Sequence, residues 1–77
     1  MEYSDTELDV RGLKCPLPIL RTKKALAGMA SGQVLKVLAT DPSAVKDFDA
    51  FARQTGHEMI SSSTGEGEDL VFLLRRK

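Results

Sequence analysis

The stretch TELDVRGLKCPLPILRTKKALAGM, residues 6–29, changes its period halfway, and that change decides the fold. Thr6, Leu8 and Val10 alternate with Glu7 and Asp9, which is the period-two pattern of a strand with one wet face. After a turn at Gly12 the apolar residues fall at helical spacing over residues 16–29. Ile19, Thr22, Leu26 and Met29 share a face with Leu20 and Ala27 beside it, while Arg21, Lys24 and Gly28 lie opposite. Lys23 falls on the apolar side, where it would have to snorkel past the core edge. Ser31-Gly32 is the expected stop of this helix.

The same reading extends outward. Residues 34–39 form a mostly apolar strand interrupted by Lys36. Asp41-Pro42 reads as an N-cap with proline at the first helical position, opening a second helix over residues 43–55. Its stripe comprises Ala44, Val45, Phe48, Phe51 and Ala52, and an Asp49/Arg53 pair sits four apart on the outer side. Gly56 ends it. Two more strands, over residues 58–62 and 69–75, are joined by a turn at Thr64-Gly65-Glu66-Gly67.

The order β-α-β-α-β-β predicts an α+β fold, a two-layer α/β sandwich. A mixed four-stranded sheet carries both helices on one face, and its first two strands are parallel. The opposite face would carry whichever of Val34, Lys36, Leu38, Val71 and Leu73 do not meet the helices. A chain of 77 residues is expected to be a single domain spanning residues 1–77, with residues 1–5 as a loose tail.

Eleven basic and eleven acidic side chains cancel, which argues against a general electrostatic nucleic-acid binder. The longest apolar run, residues 70–74, is far short of the ~20 residues of a membrane span. With no signal-peptide pattern at the start, the cytoplasm is the expected compartment. The one cysteine, Cys15, excludes an internal disulfide, and with the one histidine, His57, it makes a self-contained zinc site implausible.

Cys15 has a plain reading and a chemical one. A lone cysteine commonly behaves as a small buried hydrophobe. Against that, Cys15 stands just before a helix, where free N–H groups and the dipole would hold a thiolate below the free value of about 8.5. Pro16 and Pro18 contribute no N–H, so Leu17 and Ile19 are the donors expected to face the sulfur, with either Pro16 or Pro18 opening the helix. Arg11, Lys14, Arg21, Lys23 and Lys24 place five positive charges in residues 11–24 with no acid among them, whereas residues 2–9 hold four acids and no base. That charge would favour a thiolate and steer an acidic partner, unless it is only an ordinary solvated helix face. A Cys-x-x-Cys oxidoreductase is excluded because residue 18 is proline. A Cys-His hydrolase would need His57 and a third group that is not evident. A thiol that accepts sulfur as a persulfide and passes it on fits what remains.

In Leu8-Asp9-Val10-Arg11-Gly12-Leu13-Lys14-Cys15-Pro16-Leu17-Pro18, and in the element order of nearly the whole chain, the sequence resembles the TusA (SirA-like) family of small sulfur carriers and their Cys-Pro-x-Pro signature. The resemblance implies that Cys15 takes sulfur as a persulfide from a cysteine desulfurase and hands it to a DsrE-type relay protein. It implies tRNA 2-thiouridine as the usual destination, with sulfur oxidation, molybdenum cofactor assembly and selenium metabolism as other routes. The expected protein is a persulfide relay rather than a stand-alone enzyme, a monomer in transient complexes, with no cofactor. Arg11, Gly12, Lys14, Pro16, Leu17, Pro18, Arg21, Lys24 and Asp41 would shape the site or dock partners, Asp9 sharing that role and Asp41 capping the second helix. The competing readings are a regulatory interaction module using the open sheet face and an RNA-binding module. The latter is disfavoured by zero net charge and the lack of an exposed aromatic pair.

Overall fold

A computed structural model describes residues 4–77. The elements are β1 (Thr6–Asp9), α1 (Leu17–Ala27), β2 (Val34–Ala39), α2 (Ala44–Thr55), β3 (Glu58–Thr64) and β4 (Leu70–Arg75). They form one mixed sheet in the order β1-β2-β4-β3. β1 lies parallel to β2, and β4 runs antiparallel to both of its neighbours. The α+β sandwich expected from the periodicities is the fold observed.

Register explains the layering. Leu35 pairs with Leu74 and Val37 with Phe72, so alternate residues of the two central strands point to one side. There they meet Leu26 of α1 and Ala44, Phe48, Phe51 and Ala52 of α2 in a single core. Val10, fully buried just after β1, closes the end of that core beside the β1–α1 loop. On the opposite face Val34 and Leu73 are themselves buried, and Lys36, Leu38 and Val71 are half-buried. Of the exposed large hydrophobics, Leu17, Leu20 and Val45 belong to the helices, and Ile60 lies in β3 at the register shift between Met59 and Ser61.

Several expectations need correction. Helix α1 starts at Leu17 with Pro16 as its cap residue, and it stops at Ala27 rather than at Ser31-Gly32. Gly28 and Met29 donate to the carbonyls of Ala25 and Leu26, which tightens the last turn and closes the helix early. Leu20 and Ala27 are exposed, since they lie at the border of the face centred on Thr22 and Leu26. Val45 is likewise exposed, because it sits about 75° from the middle of the α2 stripe. Helix α2 itself begins at Ala44 with Ser43 as its cap. Asp41 instead holds the turn before it, accepting the Ser43 N–H at 3.1 Å. Gly56 ends α2 in the left-handed region, φ 84°, donating its N–H to the Ala52 carbonyl.

The expected tail is shorter than five residues. Residues 1–3 lie outside the described residues, but Asp5 is fastened to β2: its N–H donates to the Val34 carbonyl and its carboxylate accepts the Val34 N–H, each at 2.8 Å. Among the described residues no helix is long and apolar enough to cross a membrane.

Candidate functional site: the Cys15 cleft

The loop from Val10 to Pro16 carries the thiol, and its backbone is tied at nearly every step. Val10 N–H donates to the Leu38 carbonyl at 2.8 Å and Leu13 N–H to the Val10 carbonyl at 3.2 Å. Gly12, at φ 82°, makes the turn a side chain would resist, and its N–H reaches Thr40 Oγ1 at 2.8 Å. Cys15 N–H donates to Asp41 Oδ2 at 2.8 Å. With Oδ1 on Ser43, Asp41 thus fixes the thiol loop to the start of α2 through its two oxygens. Those two N–H bonds, with the Lys14 charge behind them, hold the Asp41 carboxyl below its ordinary value. The Cys15–Pro16 peptide bond is cis.

Arg11 braces the loop from the other side. Its N–H and Nε both donate to Asp9 Oδ1 at 3.0 Å, its Nη2 meets Asp9 Oδ2 at 2.9 Å, and its Nη1 reaches Asp69 Oδ2 at 3.3 Å. The arginine therefore links β1 to the β3–β4 turn and is not a free cation beside the sulfur. The hydrogen bonds from Arg11 depress the Asp9 carboxyl to about 2 and push the guanidinium upward. A depressed carboxyl stabilises the fold above its unfolded value, and that contribution disappears as pH falls through about 2. In a carbon-detected NMR titration the Asp9 carboxyl is expected to move with a midpoint near pH 2, against about 3.9 for a free aspartate. A midpoint at the free value would contradict this bracing.

Cys15 is a free, exposed thiol. It lines an open cleft of about 230 Å³ with Pro16 and Ile19 of the α1 start and Asp47, Ala50, Phe51 and Gln54 of α2. The expectation of a depressed thiol is overturned: the Cys15 ionisation is pushed upward. A hydrogen bond from the thiol to Asp47 is the largest cause, followed by desolvation and by the negative charges of Asp47 and Asp41. Of the two donors expected at the helix start, Leu17 N–H is taken by the Lys14 carbonyl at 2.9 Å.

The remaining predicted residues divide in space. Lys14, Arg21, Lys23 and Lys24 are exposed and form no ion pair among the described residues, and none of them lines the Cys15 cleft. Arg21 and Lys24 instead border a cleft against Thr6 and Leu8 of β1, and Lys23 lines the cleft that holds His57. Leu17 is exposed beside the thiol, whereas Pro18 turns inward and is buried. His57 does not join Cys15. It lines a second cleft that shares only Phe51 with the first, and its Nδ1 accepts the Lys77 N–H at 3.0 Å. Burial, with Arg76 and Lys77 nearby, lowers the His57 ionisation. Among the described residues no group of His, Cys, Asp and Glu could hold a metal ion.

Asp47 is the residue that sequence reasoning missed. In the chain it is an ordinary acid in the first turn of a helix, and no local spacing connects it to a cysteine on another element. Only the packing of α2 beside the β1–α1 loop brings the two together.

Comparison with known proteins gives the family and the fold. A family model described as "Sulfurtransferase TusA" matches residues 6–76. The chain is 61% identical over 72 residues to the sulfur carrier protein TusA of Allochromatium vinosum, covering 94% of this chain and 93% of that protein. It is 65% identical over 67 residues to a putative sulfur carrier protein of Neisseria meningitidis, covering 87% and 86%. In fold it matches the crystal structure of a SirA-like protein from Desulfitobacterium hafniense with a TM-score of 0.82, at 24% identity over 91% of this chain and 95% of that one.

Proposed function

The chain belongs to the TusA family of sulfur carriers, and from that premise we propose that Cys15 is the atom-carrying residue, holding sulfane sulfur as a persulfide between two protein partners. The observation that carries this reading is the exposure of the one free thiol at an open cleft, on a loop whose backbone is fastened to Asp9 of β1 and to Asp41 just before α2. A carrier thiol has to be reachable by a donor and an acceptor in turn, and its loop has to present it to each in the same way.

The donor is a cysteine desulfurase. The Cys15 thiolate attacks the terminal sulfur of the donor's persulfide; a new S–S bond forms at Cys15, the donor's S–S bond breaks, and its electron pair leaves on the donor cysteine. The proton lost from Cys15 ends on that departing thiolate. Discharge repeats the exchange with the acceptor, a DsrE-type relay protein, as nucleophile and Cys15 as leaving group. The raised Cys15 thiol suits holding: a more basic thiolate is the poorer leaving group, so the sulfur stays until an acceptor is in place. The protein acts in the cytoplasm in transient complexes, and 2-thiouridine of tRNA is the destination. Lys14, Arg21 and Lys24, exposed and in no ion pair among the described residues, supply positive charge to an acidic partner surface.

The relay is tested with isotope-labelled cysteine, a desulfurase and a DsrE-type acceptor. Label is expected on the acceptor only when this protein is present. Equal labelling of the acceptor without it would contradict the intermediate role.

A further inference from the structure

The one charged group that lines the Cys15 cleft is a carboxylate, while Lys14 lies outside it near Asp41. Asp47 lines the cleft with Cys15, and Asp41 accepts the Cys15 N–H from behind. The other lining groups, Pro16, Ile19, Ala50, Phe51 and Gln54, are apolar or neutral. Asp41 has its two oxygens engaged by backbone N–H groups. Asp47 forms no ion pair among the described residues, and the nearby cations of α1 stay outside the cleft. The cleft leading to the sulfur is therefore lined by one carboxylate and by no cation.

We propose that Asp47 is a selectivity residue: its carboxylate turns anionic sulfur reagents away from Cys15 and admits neutral ones or those that bring a compensating cation. The inference rests on Cys15 being the carrier thiol. In the loaded state it protects the persulfide from small thiols that carry carboxylates, whose attacking thiolates bear additional negative charge. A protein acceptor with Lys or Arg next to its cysteine neutralises Asp47 as it docks, so it reaches the terminal sulfur without that repulsion. The sulfur exchange itself is unchanged: the acceptor thiolate forms its S–S bond to the terminal sulfur, the Cys15 S–S bond breaks, and the Cys15 thiolate regains its proton and the hydrogen bond to Asp47.

The test compares two alkylating agents of nearly the same shape, neutral iodoacetamide and anionic iodoacetate. Both react with the same thiolate, so the ratio of their rates is independent of how far Cys15 is ionised. A single charge about 5 Å away in water changes this ratio about fourfold. Asp47→Asn is expected to lower the iodoacetamide-to-iodoacetate ratio about that much, while Asp49→Asn, whose carboxylate pairs with Arg53 instead, leaves it unchanged. In the wild-type protein, raising salt from about 0.01 M to 1 M should shrink the ratio in the same direction, which needs no variant to fold. A ratio that Asp47→Asn leaves at its wild-type value overturns the proposal, as does one that salt does not move.

With loaded protein, mercaptoacetate should discharge the wild type more slowly than cysteamine does, and Asp47→Asn should narrow that gap. Equal narrowing by Asp49→Asn would overturn the assignment. Absence of any persulfide to discharge would count against the carrier reading, whereas the alkylation ratio judges Asp47 with or without one.

Discussion

Cys15→Ser is expected to abolish sulfur transfer completely while leaving the fold intact. A serine oxygen forms no persulfide, and the sequence contains no second cysteine to take over. The side chain is exposed, and the bond that fixes its loop uses the backbone N–H to Asp41, which serine retains. Stability should therefore stay within about 0.5 kcal/mol of wild type, as for other exposed substitutions. The variant should still bind the desulfurase, because its exposed basic side chains are untouched. Added to wild-type reactions, it should act as a competitor for the donor. Labelled-sulfur flux through the variant above the level of a protein-free control would place the carried sulfur elsewhere.

Phe48→Ala has the largest expected effect on stability. Phe48 is fully buried and stacks on Phe72 with ring centroids 4.4 Å apart and planes 8° from parallel. That contact fastens α2 to β4, and α2 also carries Asp47, Ala50 and Gln54 of the thiol cleft. Truncating a buried phenylalanine costs about 3–5 kcal/mol, from the lost transfer free energy and the cavity left behind. A domain of this size has roughly 4–11 kcal/mol in total at ~0.05–0.15 kcal/mol per residue. The melting temperature is expected to fall by about 15 °C or more, followed by circular dichroism. A fall of only a few degrees would mean that this ring pair does not hold the two layers together.

The architecture was legible because each element has its own period, and the two helices have a single stripe each. The ends were less legible. Helix α1 closes at Ala27 through hydrogen bonds to Ala25 and Leu26, although Met29 continues the apolar spacing. Val45 lies in the arc by sequence but is turned out by the angle at which α2 meets the sheet. At the site, Cys15 with Pro16 and Pro18 was visible because the signal is local. Its electrostatics were not, because they are made by residues distant in the chain. Arg11 counted as a cation near the thiol, yet Asp9 and Asp69 consume it. The acids that set the Cys15 ionisation, Asp47 and Asp41, come from α2 and the loop before it. Counting charges along residues 11–24 therefore missed the acid that lines the cleft, while the cations of α1 lie at other clefts.

The most direct measurement is intact mass spectrometry without reductant, after incubation with a cysteine desulfurase, pyridoxal phosphate and free cysteine. The account predicts a gain of one sulfur atom, located on the peptide containing Cys15, removed by dithiothreitol and absent from Cys15→Ser. A wild-type mass that does not change, or a gain that persists in Cys15→Ser, would contradict it.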